Sequence, residues 1–380
     1  MSKTVWHLGG WGNNYGDRVL QVATSQIVKD RYNGDLQFVY VDNQKTYWSE
    51  ALINKLNSEA DLLLIGGGGF IFHRPEDNSH SGWQFNIDIE NIEKIQVPIA
   101  VYGIGYNKFP HDGRNFPQSM WDSVQAVIDK SAVFSVRNQG TYDVLKANEI
   151  SIDKVEIVPD PGMFIKAFKY DHKCLQTNKL KIGVNWATDR PGQRFASGEE
   201  ATRKMQLFFN ILNEISNKHD AQVYLIDHLL IEDRNYAVKT ELHTVAKEIM
   251  GDRIIILYNE LFEEMFPPFD YTATLFADIY RQMDFVIGMR GHANIISFGQ
   301  NTPTIGLGRH NKVKWFLEQA GLDQFIIPLQ ETDGEVYKKM NIMIDRMIED
   351  LDFYKDQMDM RFTELGYIKD AFVDKIIALL

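Results

Sequence analysis

The stretch FVIGMRGHANIISFGQNTPTIGLG, residues 285–308, decides the fold class. It begins with a short apolar run typical of a buried strand, continues through an apolar helix and ends in a second apolar strand. Arg290, Gly291 and His292 follow the first strand directly. A guanidinium and an imidazole at the end of a buried strand predict that this strand ends at the edge of a ligand-binding crevice.

The same alternation of apolar strands and helical segments runs through most of the chain. Strands that are apolar on both faces and separated by helices indicate parallel sheets covered by helices on both sides. The alternation breaks after Pro161 and then resumes, which gives two series. We predict eleven strands: 4–8, 36–42, 61–67, 98–105, 132–137 and 155–160 in the first series, then 181–187, 221–229, 253–259, 285–290 and 303–308 in the second.

The two series predict an α/β protein with two Rossmann-like domains that face each other across a cleft. We place the first domain at residues 1–165, a polar linker at 166–180, the second domain at 181–330 and C-terminal helices at 331–380. Beyond residue 335 an apolar, methionine-rich stripe recurs every three or four positions, which indicates amphipathic helices. We expect these helices to return to the first domain and brace it.

Composition excludes several classes of protein. The net charge of −12 leaves no broad basic surface for a nucleic acid. Cys174 is the only cysteine, so no disulfide and no cysteine-based metal site is expected. No secretory pattern opens the chain, and no run of about 18 apolar residues indicates a transmembrane helix. We expect a cytoplasmic protein, which can still act at the inner face of a membrane. A homo-oligomer is compatible with the sequence.

Candidate ligand-binding residues follow the predicted strands, because the carboxyl ends of parallel strands open onto the crevice. Arg137 ends an apolar strand of the first domain, and Arg290 ends one of the second. Arginine binds phosphate and carboxylate groups through two parallel hydrogen bonds. Gly291 lets a ligand approach the backbone, and His292 is a histidine, a residue type that can transfer protons near neutral pH. Lys312, after the next strand, adds a third cation at the same edge.

Two glycine-rich loops of the first domain are candidate contacts for a second substrate. Residues 9–17, GGWGNNYGD, form either a cradle for a ligand or a turn in which Asp17 caps the following helix. The four glycines at 66–69 indicate close approach or positive φ angles, and a polar loop follows them up to residue 83. The candidates in these loops are Asn14, Asp17, Gly67, Gly68, His73 and Arg74. For His73, Arg74 and the nearby His80, plain solvation is the competing interpretation.

Several catalytic motifs are missing from the sequence. There is no H-E-x-x-H, C-x-x-C, G-x-S-x-G or Walker-type phosphate loop. The sole D-x-D, at 350–352, flanks an apolar position of the predicted C-terminal helix. We therefore expect neither a metal site nor a cofactor, and the arginines would bind an anionic substrate themselves.

Taken together, six motifs resemble those of the polysaccharide pyruvyl transferase family, whose members are two-domain proteins of the glycosyltransferase-B type. The motifs occur in the expected order as far as residue 322, and the block that contains R-x-H is the most specific of them. They are NYGD (14–17), LLIGGGG (63–69), VYGIG (101–105), SVRNQGT (135–141), VPDP (158–161) and MRGHANIISFGQNTPTIGLGRHNKVKWFLEQAGL (289–322).

The resemblance implies transfer of the pyruvyl group of phosphoenolpyruvate to two hydroxyls of a sugar in a cell-surface polysaccharide or its precursor. The products would be a cyclic ketal and phosphate. By this likeness Arg137 and Arg290 would hold the phosphoenolpyruvate, His292 would be the general acid and base, and Lys312 would meet the carboxylate or phosphate. The family often has an acid after the first of these arginines, where this chain has Asn138. The saccharide acceptor is either free or lipid-linked.

Two other functions stay open at this point. One is a glycosyltransferase of the same fold that uses a nucleotide sugar, for which the segment after Trp186, ATDRPGQRFASGEE, offers no clear ribose-binding carboxylate. The other is a non-catalytic protein that binds an anion or a phosphosugar. Asn138, in place of an acid, leaves room for this second alternative.

Overall fold

A computed structural model describes residues 2–12, 14–76, 78–229, 233–261, 269–308 and 310–380. Within these ranges twelve strands are present: β1 Lys3–Gly9, β2 Leu36–Asp42, β3 Leu62–Ile71, β4 Ile99–Tyr106, β5 Val133–Val136, β6 Val155–Ile157, β7 Leu180–Asn185, β8 Ala221–Leu225, β9 Ile254–Ile256, β10 Phe285–Gly288, β11 Thr304–Leu307 and β12 Ile326–Ile327. The eleven predicted strands are confirmed. β12, with two residues, is too short to produce a pattern. The predicted strand 253–259 ends early, because a short helix begins at Leu257.

The described ranges also contain fourteen α-helices: α1 Tyr15–Arg31, α2 Glu50–Glu59, α3 Ile89–Ile92, α4 Gln118–Lys130, α5 Gln139–Ala147, α6 Pro191–Arg194, α7 Gly198–His219, α8 Asp233–Met250, α9 Leu257–Glu260, α10 Phe269–Arg281, α11 Gly291–Gly299, α12 Asn311–Ala320, α13 Asp333–Glu349 and α14 Leu351–Ile377. None of the helices in the described ranges is long and apolar enough to cross a membrane.

The strands form two six-stranded sheets that are parallel throughout. The first has the order β2-β1-β3-β4-β5-β6, and the second has the order β12-β11-β10-β7-β8-β9. The strand order therefore reverses between β1 and β3 in the first sheet and between β7 and β10 in the second. Ligands of open parallel sheets bind beyond the carboxyl ends of the strands at these points.

The two sheets are joined by close packing between domains rather than by the chain alone. Tyr15, at the start of α1, stacks on Phe276 of α10 with ring centroids 4.8 Å apart, and its N–H donates to the carbonyl of His228 at 2.8 Å. A Cβ on Gly299 of α11 would lie 1.8 Å from the carbonyl oxygen of Met163. Glycine at position 299 therefore lets the second domain contact the backbone of the first.

The C-terminal helices link both domains. Tyr354, Met358 and Leu365 of α14 belong to the core that surrounds the second sheet. Phe372 and Ile376, further along the same helix, are buried with residues of the first sheet. The ion pairs that Arg31 forms with Asp374, and Glu156 with Lys375, add exposed contacts on the first domain. The exact domain and linker boundaries stay a prediction.

Candidate active site

A cavity of about 550 Å³ lies where the carboxyl ends of the two sheets meet. Both points of strand-order reversal contribute to its wall, through the loops after β1, β3, β7 and β10. A volume of this size accommodates a drug-sized ligand. The predicted residues that line it are Asn14, Asp17, Gly67, Gly68, Arg74, Arg137, Arg290, Gly291, His292 and Lys312.

The wall of this cavity is basic although the protein is acidic. Among the described residues that line it, seven are basic: Lys45, Arg74, Arg137, Arg190, Arg194, Arg290 and Lys312. Three are carboxylates: Asp17, Asp42 and Asp189. An excess of positive charge in a concave, partly desolvated site attracts anions.

Arg137 approaches the cavity from the end of β5. A Cβ on Gly105 would lie 2.2 Å from Arg137 Nε, so glycine at position 105 provides the space for the guanidinium. Arg137 is 5% exposed, and its Nε has no hydrogen-bond partner among the described residues. A buried N–H without a partner in a cavity wall indicates a place for an acceptor from a ligand.

Asp160, which the sequence interpretation missed, lies between Arg137 and His292. Its Oδ2 accepts a hydrogen bond from Arg137 Nη1 at 3.0 Å and lies 3.7 Å from His292 Nε2, while its Oδ1 accepts from the N–H of Gly162 at 3.0 Å. Burial opposes ionisation of this carboxyl, but His292 and Arg137 outweigh it and lower the pKa of Asp160 to about 2. Asp160 is therefore a carboxylate at neutral pH that contacts both domains.

The ion pair of Arg137 explains why position 138 need not be acidic. Asn138 caps α5, because its side-chain oxygen accepts hydrogen bonds from the backbone N–H and the hydroxyl of Thr141, each at 2.9 Å. The carboxylate that neutralises Arg137 comes instead from Asp160, in the VPDP motif. The charge of Arg137 is therefore balanced although residue 138 is an asparagine.

His292 is held against the first turn of α1. A Cβ on Gly16 would lie 2.7 Å from His292 Cβ, so only glycine at position 16 permits this packing. His292 Nδ1 lies 3.6 Å from Asp17 Oδ1, and Nε2 has no hydrogen-bond partner among the described residues. The imidazole thus lies within ion-pair distance of two carboxylates, Asp17 through Nδ1 and Asp160 through Nε2.

Asn14 and Asp17 have separate positions at the start of α1. The side-chain oxygen of Asn14 accepts from the N–H of Gly16 at 3.0 Å and caps the helix, which begins at Tyr15. The interpretation of Asp17 as the cap is therefore wrong. Asp17 lies in the first turn, where its carboxylate faces His292.

Arg290 caps α11 with its backbone, and its side chain pairs with Asp189. Its N–H donates to Asn185 Oδ1 at 3.2 Å, which fixes the end of β10 to the end of β7. Gly291 also lines the cavity, but a Cβ there would meet Lys312 at 3.6 Å, an ordinary contact. Protein packing alone does not require glycine at position 291.

Lys312 lies in the first turn of α12 and is partly buried. Its Nζ donates to Asn107 Oδ1 at 3.4 Å, across the interface between the domains. Burial, together with the charges of Arg194 and Arg137, lowers the pKa of Lys312 to about 7, although Asp189 opposes the shift. An anionic ligand in the cavity would favour the protonated form.

The segment after β7 supplies cations that the sequence interpretation missed. Asp189 accepts hydrogen bonds from Arg194 Nη2 at 3.1 and 3.2 Å, in addition to its pair with Arg290. Burial opposes its ionisation, but Arg194 and Arg290 hold the pKa of Asp189 well below its usual range. Arg190, also in the wall, has a left-handed φ of 55°. These residues could have been predicted because they follow β7, as Arg137 follows β5 and Arg290 follows β10.

His228 is a second histidine in the wall that the sequence interpretation missed. It is 2% exposed, its Nε2 lies 2.6 Å from the hydroxyl of Tyr280, and its Nδ1 has no partner among the described residues. Burial, with Arg290 and His292 nearby, lowers the pKa of His228 well below its usual value, so this imidazole is neutral.

The polar loop after β3 contributes less than predicted. Gly67 and Gly68 line the cavity with φ angles of 64° and 95°, and a Cβ on Gly67 would lie 2.6 Å from Leu20. Arg74 also lines the cavity. His73 is not part of the wall, because its Nδ1 lies 3.0 Å from the carbonyl oxygen of Gly82.

His80 lies outside the wall as well, stacked on Tyr47 and paired with Asp88 at 2.9 Å. In the described part of the chain, no three His, Cys, Asp or Glu side chains are grouped so that they would hold a metal ion.

Solved structures with a similar architecture include UDP-GlcNAc 2-epimerases. The S. aureus MnaA structure with UDP has a TM-score of 0.57 and 13% identity, and the match covers 94% of this chain and 90% of that chain. UDP-GlcNAc 2-epimerase from Neisseria meningitidis, bound to UDP-GlcNAc, has a TM-score of 0.57 and 9% identity over 100% of both chains. The Methanocaldococcus jannaschii UDP-GlcNAc 2-epimerase has a TM-score of 0.52 and 12% identity, with 90% and 92% coverage. At these identities the likeness shows the fold alone, which is of the glycosyltransferase-B type.

Comparison with curated protein sequences gives no significant match. The model of one protein family does match, and it covers residues 14–311, from the cap of α1 to the start of α12. That range includes Asp17, Arg137, Asp160, Arg290 and His292. The chain therefore belongs to the polysaccharide pyruvyl transferase family.

Proposed function

We propose that the protein transfers the pyruvyl group of phosphoenolpyruvate to two hydroxyls of a saccharide, with formation of a cyclic ketal and release of phosphate. The observation that carries this proposal is the convergence of Arg137, Arg290 and Lys312, from both domains, on one cavity that also contains His292. Phosphoenolpyruvate is a small, highly charged molecule that has no nucleobase to stack on an aromatic side chain. Its recognition calls for cations and N–H donors at fixed positions.

The cations divide naturally between the two anionic groups of phosphoenolpyruvate. Arg137 and Lys312 would bind one anionic group. Arg137 Nε has no partner among the described residues, and the charge of Arg137 contributes to the lowered pKa of Lys312. Arg290 and the N-terminus of α11, which has no side-chain cap, would meet the other. Because Asp189 and Asp160 pair with Arg290 and Arg137, both guanidinium groups are oriented before the ligand binds.

The reaction requires proton transfers, and we assign them to His292. The methylene carbon of phosphoenolpyruvate takes a proton, and the central carbon then accepts the first sugar hydroxyl, which gives up its own proton. When the C–O bond to phosphate breaks, the second hydroxyl adds and loses a proton to the departing phosphate. His292 would donate to the methylene and recover the proton from a hydroxyl, while Asp17 and Asp160 stabilise the imidazolium.

Lys312 predicts a pH dependence of phosphoenolpyruvate binding. The pKa of Lys312 is about 7 in the free protein, so binding of an anion above this pH requires proton uptake. We expect the Kd to rise by up to about tenfold per pH unit between pH 7 and 9, where the ligand phosphate is already fully ionised. Isothermal titration calorimetry in buffers of different ionisation enthalpy measures both the Kd and the proton uptake.

The matched variant is Lys312→Arg, because arginine stays charged over this range and should give a flat profile. Equal slopes for wild type and variant would contradict the assignment. Folding of the ligand-free protein depends on pH in the opposite direction. Between pH 7 and 10.5, Lys312 is protonated in the unfolded chain but not in the folded one. Its contribution to the free energy of unfolding therefore increases with pH over this range.

The proposed function is tested by phosphate release from phosphoenolpyruvate in the presence of galactose-, glucose- and N-acetylmannosamine-terminated acceptors. Release that depends on the acceptor, together with a ketal detected by mass spectrometry, supports the proposal. A nucleotide-sugar transferase is the competing function, because the structural neighbours include enzymes with bound UDP. Thermal shift separates the two, since a bound ligand raises the midpoint. Stabilisation by UDP or GDP and none by phosphoenolpyruvate would overturn the proposal.

A further inference from the structure

An aromatic platform, formed by Trp11 and Tyr40, lies at the rim of the cavity. Trp11 belongs to the loop after β1 and lines the cavity, and its ring centroid lies 4.2 Å from that of Tyr40. Tyr40 comes from β2, the edge strand of the first sheet, and is 49% exposed. Phe38 stacks behind Tyr40 with centroids 6.1 Å apart. The cavity wall therefore continues as an exposed aromatic surface along the edge strand.

One buried polar atom in the segment after β2 has no hydrogen-bond partner among the described residues. Asn43 follows β2, lines the cavity and is 8% exposed, and its backbone N–H donates to the carbonyl of Gly9 at 3.0 Å. Its side-chain Oδ1 has no hydrogen-bond partner among the described residues. Buried polar atoms are almost always hydrogen-bonded, so an unpartnered carbonyl oxygen in the wall indicates a donor that a ligand supplies. Asp42, also in the wall, is a second acceptor, and its Oδ1 already accepts from the N–H of Gln44 at 2.9 Å.

The charge on this side differs from that around Arg290. Of the lining residues that belong to β2 and the loop after it, only Asp42 and Lys45 are charged, and they lie 3.9 Å apart and balance each other. A phosphate or a polyanion would therefore bind at the arginines rather than here. An aromatic surface with hydrogen-bond acceptors and no net charge suits a neutral ligand that has an apolar face and hydroxyl donors.

We propose that the platform of Trp11 and Tyr40 binds a neutral sugar of an extended saccharide acceptor, next to the sugar that receives the pyruvyl group. This inference rests on the proposed function, which places the reacting hydroxyls beside His292. The C–H face of a pyranose is apolar and is buried favourably against an aromatic ring, while its hydroxyls donate to Asn43 and Asp42. The preferred acceptor is thus an oligosaccharide, one sugar of which binds the platform while another receives the pyruvyl group.

The test compares short and long acceptors. Galactose-, glucose- and N-acetylmannosamine-terminated acceptors are each prepared as a methyl glycoside and as a trisaccharide with the same terminal sugar. Affinities are measured by saturation-transfer NMR and titration calorimetry for wild type, Tyr40→Ala, Tyr40→Phe and Trp11→Ala. We expect wild type to bind one trisaccharide more tightly than its methyl glycoside. Tyr40→Ala should lose roughly tenfold in trisaccharide affinity and keep its affinity for phosphoenolpyruvate and the methyl glycoside.

The controls separate the role of the ring from general effects. Tyr40→Phe keeps the ring and should bind like wild type. Tyr367→Ala removes an aromatic ring that is 72% exposed on α14, far along the chain from the platform, and should change nothing. Trp11 is less exposed than Tyr40, so Trp11→Ala could disturb the fold. Its result is used only if its melting temperature equals that of wild type. Tyr40→Ala tests the inference independently of Trp11→Ala.

Three results would overturn the inference: equal trisaccharide affinity in Tyr40→Ala and wild type, no binding of any of these saccharides at millimolar concentration, or a loss of UDP affinity in Tyr40→Ala without a loss of saccharide affinity. The last result would make the platform a base-binding surface. If Tyr40→Ala loses trisaccharide affinity but phosphoenolpyruvate never releases phosphate, the sugar-binding role of the platform is supported and the proposed function is contradicted.

Discussion

The variant His292→Ala is expected to lower turnover of phosphoenolpyruvate by about 10²–10⁴-fold, the usual contribution of a general acid or base. His292 Nε2 has no hydrogen-bond partner among the described residues, and the ring is held by Gly16 and flanked by two carboxylates. Because the guanidinium groups of Arg137 and Arg290 remain, the affinity for phosphoenolpyruvate should change by no more than a few-fold. Steady-state phosphate release gives the turnover, and calorimetry gives the affinity.

A matched control is His80→Ala, because His80 lies on a loop of the first domain and outside the cavity wall. Its turnover should be close to that of wild type. If His292→Ala retained near-normal turnover, the proton-transfer role would be wrong. If it lost affinity and turnover together, His292 would be a binding residue instead.

The variant Asp160→Asn is expected to cost about 3–5 kcal/mol of the free energy of unfolding, as is typical when one partner of a buried ion pair is removed. Asp160 is 1% exposed and its partner Arg137 is 5% exposed, so the guanidinium would be left as a buried charge without its counter-ion. The loss also removes the carboxylate beside His292. Urea denaturation measures the stability, and phosphate release measures the accompanying loss of turnover.

The pH dependence of this stability has a definite sign. The folded-state pKa of Asp160 is lowered to about 2, so its stabilising contribution is present above the ordinary pKa near 4. The difference between wild type and Asp160→Asn should therefore shrink as the pH falls from 4 to 2. The control is Asp374→Asn, which removes an exposed pair with Arg31 and should cost far less stability, because solvent screens exposed pairs. Equal losses for the two variants would contradict the structural role of Asp160.

The two arginines predicted from the sequence share one property: each lies at the end of an apolar strand. Arg137 and Arg290 were identifiable because the carboxyl ends of parallel strands lie at one edge of a sheet, whatever the details of packing. Lys312 follows the next strand by the same rule. His73, also predicted, lies outside the cavity wall, because a long loop has no such geometric constraint and its imidazole lies against the carbonyl of Gly82.

Asp160, Asp189 and His228 belong to the site for reasons that no local pattern reveals. Asp160 follows a strand of only three residues and gains its importance from His292, which is contributed by the other domain. Asp189 holds Arg290, which lies 101 positions later in the chain. Contacts between residues so far apart in the chain depend on how the strands and the two sheets are arranged in space. Local sequence patterns do not specify that arrangement.

The sequence by itself determined the parallel α/β fold with two domains, the family, and the strand ends at which Arg137, Arg290 and His292 would be found. Hydrophobic periodicity and strand-end position are local properties, so they can be read without coordinates. Only the tertiary structure decided which charged side chains form ion pairs, among them Asp160, rather than residue 138, with Arg137. It also decided that Trp11 contacts Tyr40 beside the cavity. These contacts join residues from different strands, and their distances follow from how the two sheets pack.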